Sequence, residues 1–325
     1  MNIQSLSIVV PTKKCVNNCA FCVSKTHDND YKDESKCDNF EENYIERLEF
    51  AKDNGTNTII LTGTGEALQN KPFLKKFAEW NKKLHKPFYI IELQTTGVFL
   101  DDETLKFLRD EVRVKTISLS VSDLFDNENN LNTIGVSEKL RFNLDDLVKK
   151  IKDYGFNLRI SLNVLKSAED LLVNKYWVEL EKLAKLQNFD KAIEYRDTYK
   201  NELSKGSSYF YKLFDRLKEL SADQITFRKM WKSNNNNEID KWIENNTASD
   251  EFFNLLNSYI KNNGKVIGKL TFGALQYEVG GENGISTVID GDCMSDEVKD
   301  SVKYLILREN GKLYFKWNSK SSLVF

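Results

Sequence analysis

Residues 14–22 read Lys-Cys-Val-Asn-Asn-Cys-Ala-Phe-Cys, which puts Cys15, Cys19 and Cys22 on one short loop. Three thiolates at that spacing can each hold one iron of a [4Fe–4S] cube. No fourth cysteine lies close by in sequence, so the fourth iron is left for a ligand that is not protein. An open position of this kind is where metal chemistry happens, as the unfilled position of a zinc site marks a catalytic zinc. A single-ion reading competes with it. His27 or Cys37 could complete a zinc site and leave a structural metal-binding protein without catalysis. Zinc loops usually set their ligands as two CxxC pairs, however, and no second pair follows.

The elements that must position this loop alternate along the chain. Short apolar, β-branched runs are expected as strands over 5–10, 58–62, 88–95, 116–121, 158–164 and 224–229. Helical spacing is expected over 40–54, 72–84, 102–109, 144–154 and most of 175–220. The cysteine loop opens directly after the first strand. Six strand–helix repeats predict an α/β fold, a partial (β/α)6 barrel of the TIM type, over residues 1–230. After Trp231 the pattern breaks into a polar tract, one helix and several turns, read as a C-terminal α+β cap over residues 231–325. Within it, Glu309-Asn310-Gly311 between two apolar runs predicts a type I′ hairpin.

Composition narrows the classes. With 325 residues, 40% of them hydrophobic and 30% charged, the chain is an ordinary globular protein with room for a large core. No apolar stretch approaches the roughly 20 residues of a membrane span. The first residues lack the pattern of a secretory signal. A cytoplasmic, reducing setting is expected, in which cysteines serve as ligands or free thiols rather than disulfides. Net charge is −2, with lysines interleaved with acids, which argues against a nucleic-acid partner.

The CxxxCxxC spacing, with Phe21 just before the last cysteine, resembles the signature of the radical S-adenosylmethionine (SAM) superfamily. Order along the chain strengthens the likeness. Thr62-Gly63-Thr64-Gly65-Glu66 follows the second strand, where that superfamily carries a Gly-Gly-Glu element whose backbone binds the SAM amino group. Thr64 replaces the middle glycine, and Ala67 the proline that often comes next. Thr96, in Gln94-Thr95-Thr96-Gly97, stands where relatives have Asn. The resemblance covers about residues 5–230. It implies that Cys15, Cys19 and Cys22 hold the cluster while SAM takes the open iron. It implies further that Phe21 flanks the adenine, that Ser118 and Ser120 face the ribose or carboxylate, and that Asn163 and Arg228 complete the SAM pocket.

On that reading the chain is an oxygen-sensitive enzyme in which an electron donor such as flavodoxin or ferredoxin drives SAM cleavage. The resulting 5′-deoxyadenosyl radical takes hydrogen from a small-molecule or nucleotide substrate under the cap. A peptide or tRNA modifier, contacted by the charged helices of 175–218, is the alternative enzyme reading. Cys37 and Cys293 are too few to hold a second cluster. Cys293, in the cap, is a candidate hydrogen-atom donor to the substrate radical.

Overall fold

A computed structural model describes residues 3–25, 39–169, 182–204, 208–233, 235, 237–270, 274–281, 283–290, 302–317 and 319–325. Strands β1 (Ile3–Val10), β2 (Thr58–Gly63), β3 (Ile90–Thr95), β4 (Thr116–Val121), β5 (Asn157–Asn163) and β6 (Gln224–Arg228) lie side by side in chain order. Every neighbouring pair among them is parallel. Their positions match the expected runs to within about two residues because each carries an apolar face that must be covered. Leu6, Ile8 and Val10 on β1, Ile59 and Leu61 on β2, and Ile117 and Leu119 on β4 are all inaccessible to solvent. They join one core with residues of the helical layer: Leu48 of α1 (Phe40–Asp53), Phe77 of α2 (Lys71–Lys83), Leu105 of α3 (Asp102–Phe107) and Ile151 of α5 (Leu144–Asp153).

Because successive side chains alternate across a strand, the other parity faces the inside of the curved sheet. There the residues are mostly polar: Ser5 and Ser7, Thr62, Gln94, Ser118 and Ser120, Ser161 and Asn163, and Arg228, with Val9 and Ile60 as apolar exceptions. Apolar outside and polar inside is the reverse of a packed barrel interior. It leaves a chamber. Its floor is a polar plug, in which Arg159 donates to Glu92 Oε2 and, at 2.8 and 2.6 Å, to Gln224 Oε1.

The expected long helical stretch contains α6 (Phe189–Ser204) and α7 (Ser208–Glu219), with residues 170–181 and 205–207 outside the described set. One helix had no clear sequence signal. α4 (Asn127–Thr133) is capped by Asp126, whose side chain accepts from Asn129 N at 3.0 Å, and carries Leu131 into a small apolar cluster.

Residues 231–325 contribute α8 (Glu238–Asn246), α9 (Asp250–Asn263) and five strands of the same sheet. β9 (Ile285–Asp290) runs parallel to β6, with β8 (Leu275–Val279) and β7 (Gly264–Lys269) antiparallel beyond it. β10 (Val302–Leu307) runs parallel to β1 at the opposite edge and turns into β11 (Leu313–Tyr314). The segment expected as a cap therefore extends both ends of the barrel wall. Among the described residues the ends do not pair with each other, so the barrel stays open.

The β10–β11 turn differs from the expected type I′, which needs positive φ at two residues. Here only Gly311 is left-handed, at φ +73°. Gly311 N–H donates to Arg308 O at 2.9 Å and Arg308 N–H to Lys312 O at 3.0 Å, the pattern of a type I turn closed by a glycine bulge. Asn310 stays out of the left-handed region because its side chain is occupied, with Oδ1 accepting from Lys312 N and Nδ2 donating to Tyr314 OH. A Cβ on Gly311 would also meet the Phe40 ring at 2.9 Å. Gly311→Ala is expected to cost more than about 1 kcal/mol, from the strain of a left-handed alanine. A lower thermal midpoint with unchanged secondary structure would show it.

Candidate active site

The cysteine loop leaves β1 at Pro11 and is held on two sides. On one, a short 3-10 turn after β2 (Ala67–Asn70) grips its backbone. Val16 N–H donates to Gln69 Oε1 at 2.9 Å, Gln69 Nε2 to Lys14 O at 3.0 Å, and Asn70 Nδ2 to Pro11 O at 2.8 Å. On the other, the turn after α4 lies against it. Asn18 N–H donates to Gly135 O at 3.0 Å and the Cys19 thiol to Ile134 O at 3.2 Å. Gly135 has φ +64°, and a Cβ there would sit 2.4 Å from the Asn18 carbonyl. Only glycine fits so close an approach.

The Gly63–Glu66 turn meets the same loop. Neither Gly63 nor Gly65 is left-handed, so they serve proximity rather than turn geometry. A Cβ on Gly65 would fall 2.5 Å from Thr12 Oγ1 and 3.2 Å from Cys15 Cβ. Glu66, 3% exposed, has both carboxylate oxygens engaged. Oε1 accepts from Thr95 Oγ1 at 2.7 Å and Leu68 N at 3.3 Å. Oε2 accepts from Thr96 N at 2.9 Å and Thr96 Oγ1 at 2.8 Å. Thr96 Oγ1 in turn accepts from Asn17 Nδ2 at 2.7 Å. Two residues expected as cofactor contacts, Glu66 and Thr96, thus have side chains committed to bracing the cysteine loop against β2 and β3.

Cys15, Cys19, Cys22, Phe21 and the four residues Gly63, Thr64, Gly65 and Glu66 line one cavity of about 290 Å³. Thr96, Ser120, Asn163 and Arg228 line it too. It continues into a deeper chamber of about 360 Å³, which Ser118 lines. Arg228 Nε donates to Ser161 Oγ at 2.6 Å, which fixes the guanidinium at the top of β6. Phe21 packs between two apolar clusters, one from the α4 region and one with Met230 and Trp242, its ring 6.0 Å from the indole of Trp242. Cys293, like Cys37 and His27, lies outside the described residues.

Burial and then the neighbouring Cys22 and Cys15 push the Cys19 thiol up to about 12. Burial raises Cys15 as well, opposed by the backbone N–H groups of Asn17 and Glu66 at its sulfur. The three sulfurs therefore sense one another across a common wall. Among the described residues no three His, Cys, Asp or Glu side chains converge on a point that one ion could fill. Half-buried thiols spread along a cavity, backed by a turn too tight for a Cβ, suit a cube-sized group that meets each sulfur at a different iron.

The sequence model of the radical SAM superfamily matches residues 9–162, the stretch that runs from β1 to β5. Residues 9–162 are a radical SAM domain. Solved structures that align with the chain include a hexahistidine-tagged anSMEcpe with bound AdoMet, at 17% identity and TM-score 0.42, over 73% of this chain and 53% of that one. Coproporphyrinogen III oxidase (HemN) from Escherichia coli, described as a radical SAM enzyme, aligns at 14% identity and TM-score 0.48, over 82% and 54%. Native anSMEcpe with bound AdoMet and Cp18Cys peptide aligns at 14% and 0.47, over 98% and 75%. The chain spans about half the length of the first two of these. No curated protein matches it. No helix among the described residues is long and apolar enough to cross a membrane.

Sequence reasoning missed the braces of the radical SAM domain: Asn17, Gln69, Asn70 and Gly135. Asn17 was visible as a polar residue between ligands, but its 5% exposure and its bond to Thr96 follow from folding. Gly65→Ala should displace Thr12 and Cys15, so iron and sulfide content after anaerobic reconstitution is expected to fall several-fold while secondary structure is retained. Linkage gives a second expectation for metal-free protein. Cys19 is raised from 9.0 to about 12, so the folded state holds this proton while the unfolded state releases it. Its contribution is intact below about pH 9 and is lost as pH rises toward 12. Denaturant titrations across that window should show a steeper alkaline decline for wild type than for Cys19→Ala.

Proposed function

We propose that this chain is a radical SAM enzyme acting on a small-molecule or nucleotide substrate held inside the barrel. The observation that carries the reading is convergence. A three-cysteine loop, a turn too tight for a Cβ and a polar lumen meet in one connected cavity.

Cys15, Cys19 and Cys22 would hold a [4Fe–4S] cluster, and Gly63–Glu66 with Thr96, Ser120, Asn163 and Arg228 would form the SAM pocket. When bound, the cluster and SAM supply one-electron cleavage of the S–C5′ bond, giving methionine and a 5′-deoxyadenosyl radical that takes hydrogen from substrate. The electron would come from a small carrier such as flavodoxin or ferredoxin. The chain's own residues provide position and enclosure. Gly63 and Gly65 let backbone amides approach a ligand without a side chain between them. Phe21 walls the cavity with apolar surface and packs against Trp242. The deep chamber would hold a substrate beside the SAM pocket, which is the protein's share in cofactor chemistry of this kind. Cys293 stays a candidate hydrogen-atom donor.

Anaerobically reconstituted protein is expected to bind about four irons per chain and to show a reduced-state EPR signal that changes when SAM is added. Cys15→Ala, Cys19→Ala and Cys22→Ala combined should abolish both, together with 5′-deoxyadenosine formation under dithionite. One equivalent of zinc and no spectral response to SAM would refute the assignment.

A further inference from the structure

The deeper chamber has two kinds of wall. One is aromatic. Tyr304 stands beside Ser5 on the inner face, and Trp317 enters from beyond β11 to line the same space. Both are half-buried and pack on an apolar cluster of Val9, Ile306 and Tyr314. Arg308 steadies the indole, with its guanidinium carbon 5.1 Å from the ring centre and Nη2 donating to the Trp317 carbonyl.

The other wall is neutral and able to hydrogen bond. Gln94 of β3 and Ser118 of β4 are direct neighbours in register, and both line the chamber. The hydroxyls of Ser5 and Ser161 are engaged, the first donating to Lys303 O at 3.3 Å and the second accepting from Arg228 at 2.6 Å. Gln94 and Ser118 are not. Among the described residues nothing hydrogen bonds to the Gln94 carboxamide. Ser118 Oγ, in a residue 1% exposed, has no partner either. A buried hydroxyl without a bond carries a desolvation cost that a ligand can offset, and rotation about its Cα–Cβ bond turns it to the lumen. Ser120 and Asn163 also line the cavity assigned to SAM, whereas Ser118 lines only the deeper chamber.

From this we infer that the chamber binds a flat heterocycle with a lactam edge, of the nucleobase type, its face on Tyr304 and Trp317 and its edge on Gln94 and Ser118. The inference rests on the proposed function and narrows its substrate. A carboxamide carries donor and acceptor side by side in one plane, which complements the N–H and C=O of a lactam. Aromatic walls take a planar ring in offset or edge-on contact. No Asp or Glu is among the described lining residues, so nothing there selects a cation instead.

SAM itself carries an adenine, so the test is run on reconstituted enzyme with saturating SAM. Uracil is the probe. Its control 5,6-dihydrouracil keeps the lactam edges without the flat conjugated ring, and 1,3-dimethyluracil keeps the ring without the N–H donors. Equilibrium dialysis should show saturable uracil binding, with each control at least tenfold weaker. Gln94→Met and Trp317→Leu should each weaken uracil binding at least tenfold, and Ser118→Ala several-fold. Neither Gln94 nor Ser118 gives up a side-chain bond within the protein, so both variants should keep the wild-type thermal midpoint. Equal affinity for either control, or unchanged uracil affinity in Gln94→Met and Ser118→Ala, would overturn the inference. So would displacement of SAM by uracil, a loss of SAM affinity in those variants that matches the loss of uracil, or a lowered midpoint in both. 5′-Deoxyadenosine formed without uracil is measured in parallel. Its absence alongside intact uracil binding would sink the radical SAM reading and leave the heterocycle site standing.

Discussion

A single buried carboxylate ties the site together. Glu66 receives hydrogen bonds from Thr95 and Thr96 at the end of β3 and from the turn that follows its own strand. Thr96 passes the connection to Asn17 in the cysteine loop. Three segments far apart in the chain are thereby clamped around one acidic side chain, in surroundings where charge-assisted bonds are about twice as strong as neutral ones. Removing the carboxylate would strand several buried donors at once, each costing roughly 1–3 kcal/mol. The sulfurs of Cys15, Cys19 and Cys22 can only stay in register with the glycine turn while this clamp holds.

The second constraint is the two-faced strand. Parallel sheets covered by helices on both sides carry apolar residues on both faces. Here the outward parity is apolar and packed, whereas the inward parity is mostly serine, threonine, glutamine, asparagine and arginine, with Ile60 and Val9 among them. Serine and threonine are too short to meet across the lumen and leave space instead of filling it. At the end away from the cysteines, Glu92, Arg159 and Gln224 link β3, β5 and β6 across the inner face.

The wall of the pocket is finished by the last part of the chain. Ser5 Oγ donates to Lys303 O across 298 positions of sequence, and β10 lies along β1 in register from Ile3 to Ile8. A segment that would read as an appendage is what brings Tyr304, Arg308 and Trp317 to the lumen.

Much of this was legible in residues alone. The cysteine spacing, the glycine run after the second strand and the strand–helix alternation are local patterns, set by ligand chemistry and by the periods of buried faces. The inward polarity of β4 and β5 could be read from Ser118, Ser120 and Asn163 by alternation alone. What only the tertiary structure decided is what depends on distant partners. The apolar runs around Asn310-Gly311 say that β10 is a strand but not which edge it joins, because edge pairing is set by where two ends of a curved sheet come to lie. Nothing local marks Gly135; what fixes it as glycine is Asn18, whose carbonyl a Cβ there would meet at 2.4 Å. Glu66 and Thr96 carried the residue types of a ligand pocket, yet their side chains are spent on each other, which no spacing rule distinguishes. Asn-Gly suggested a turn, but the bond from Asn310 to Tyr314 chose its type. Local patterns specify what a residue can do; which of those capacities is used depends on the groups that folding brings within about 3 Å of it.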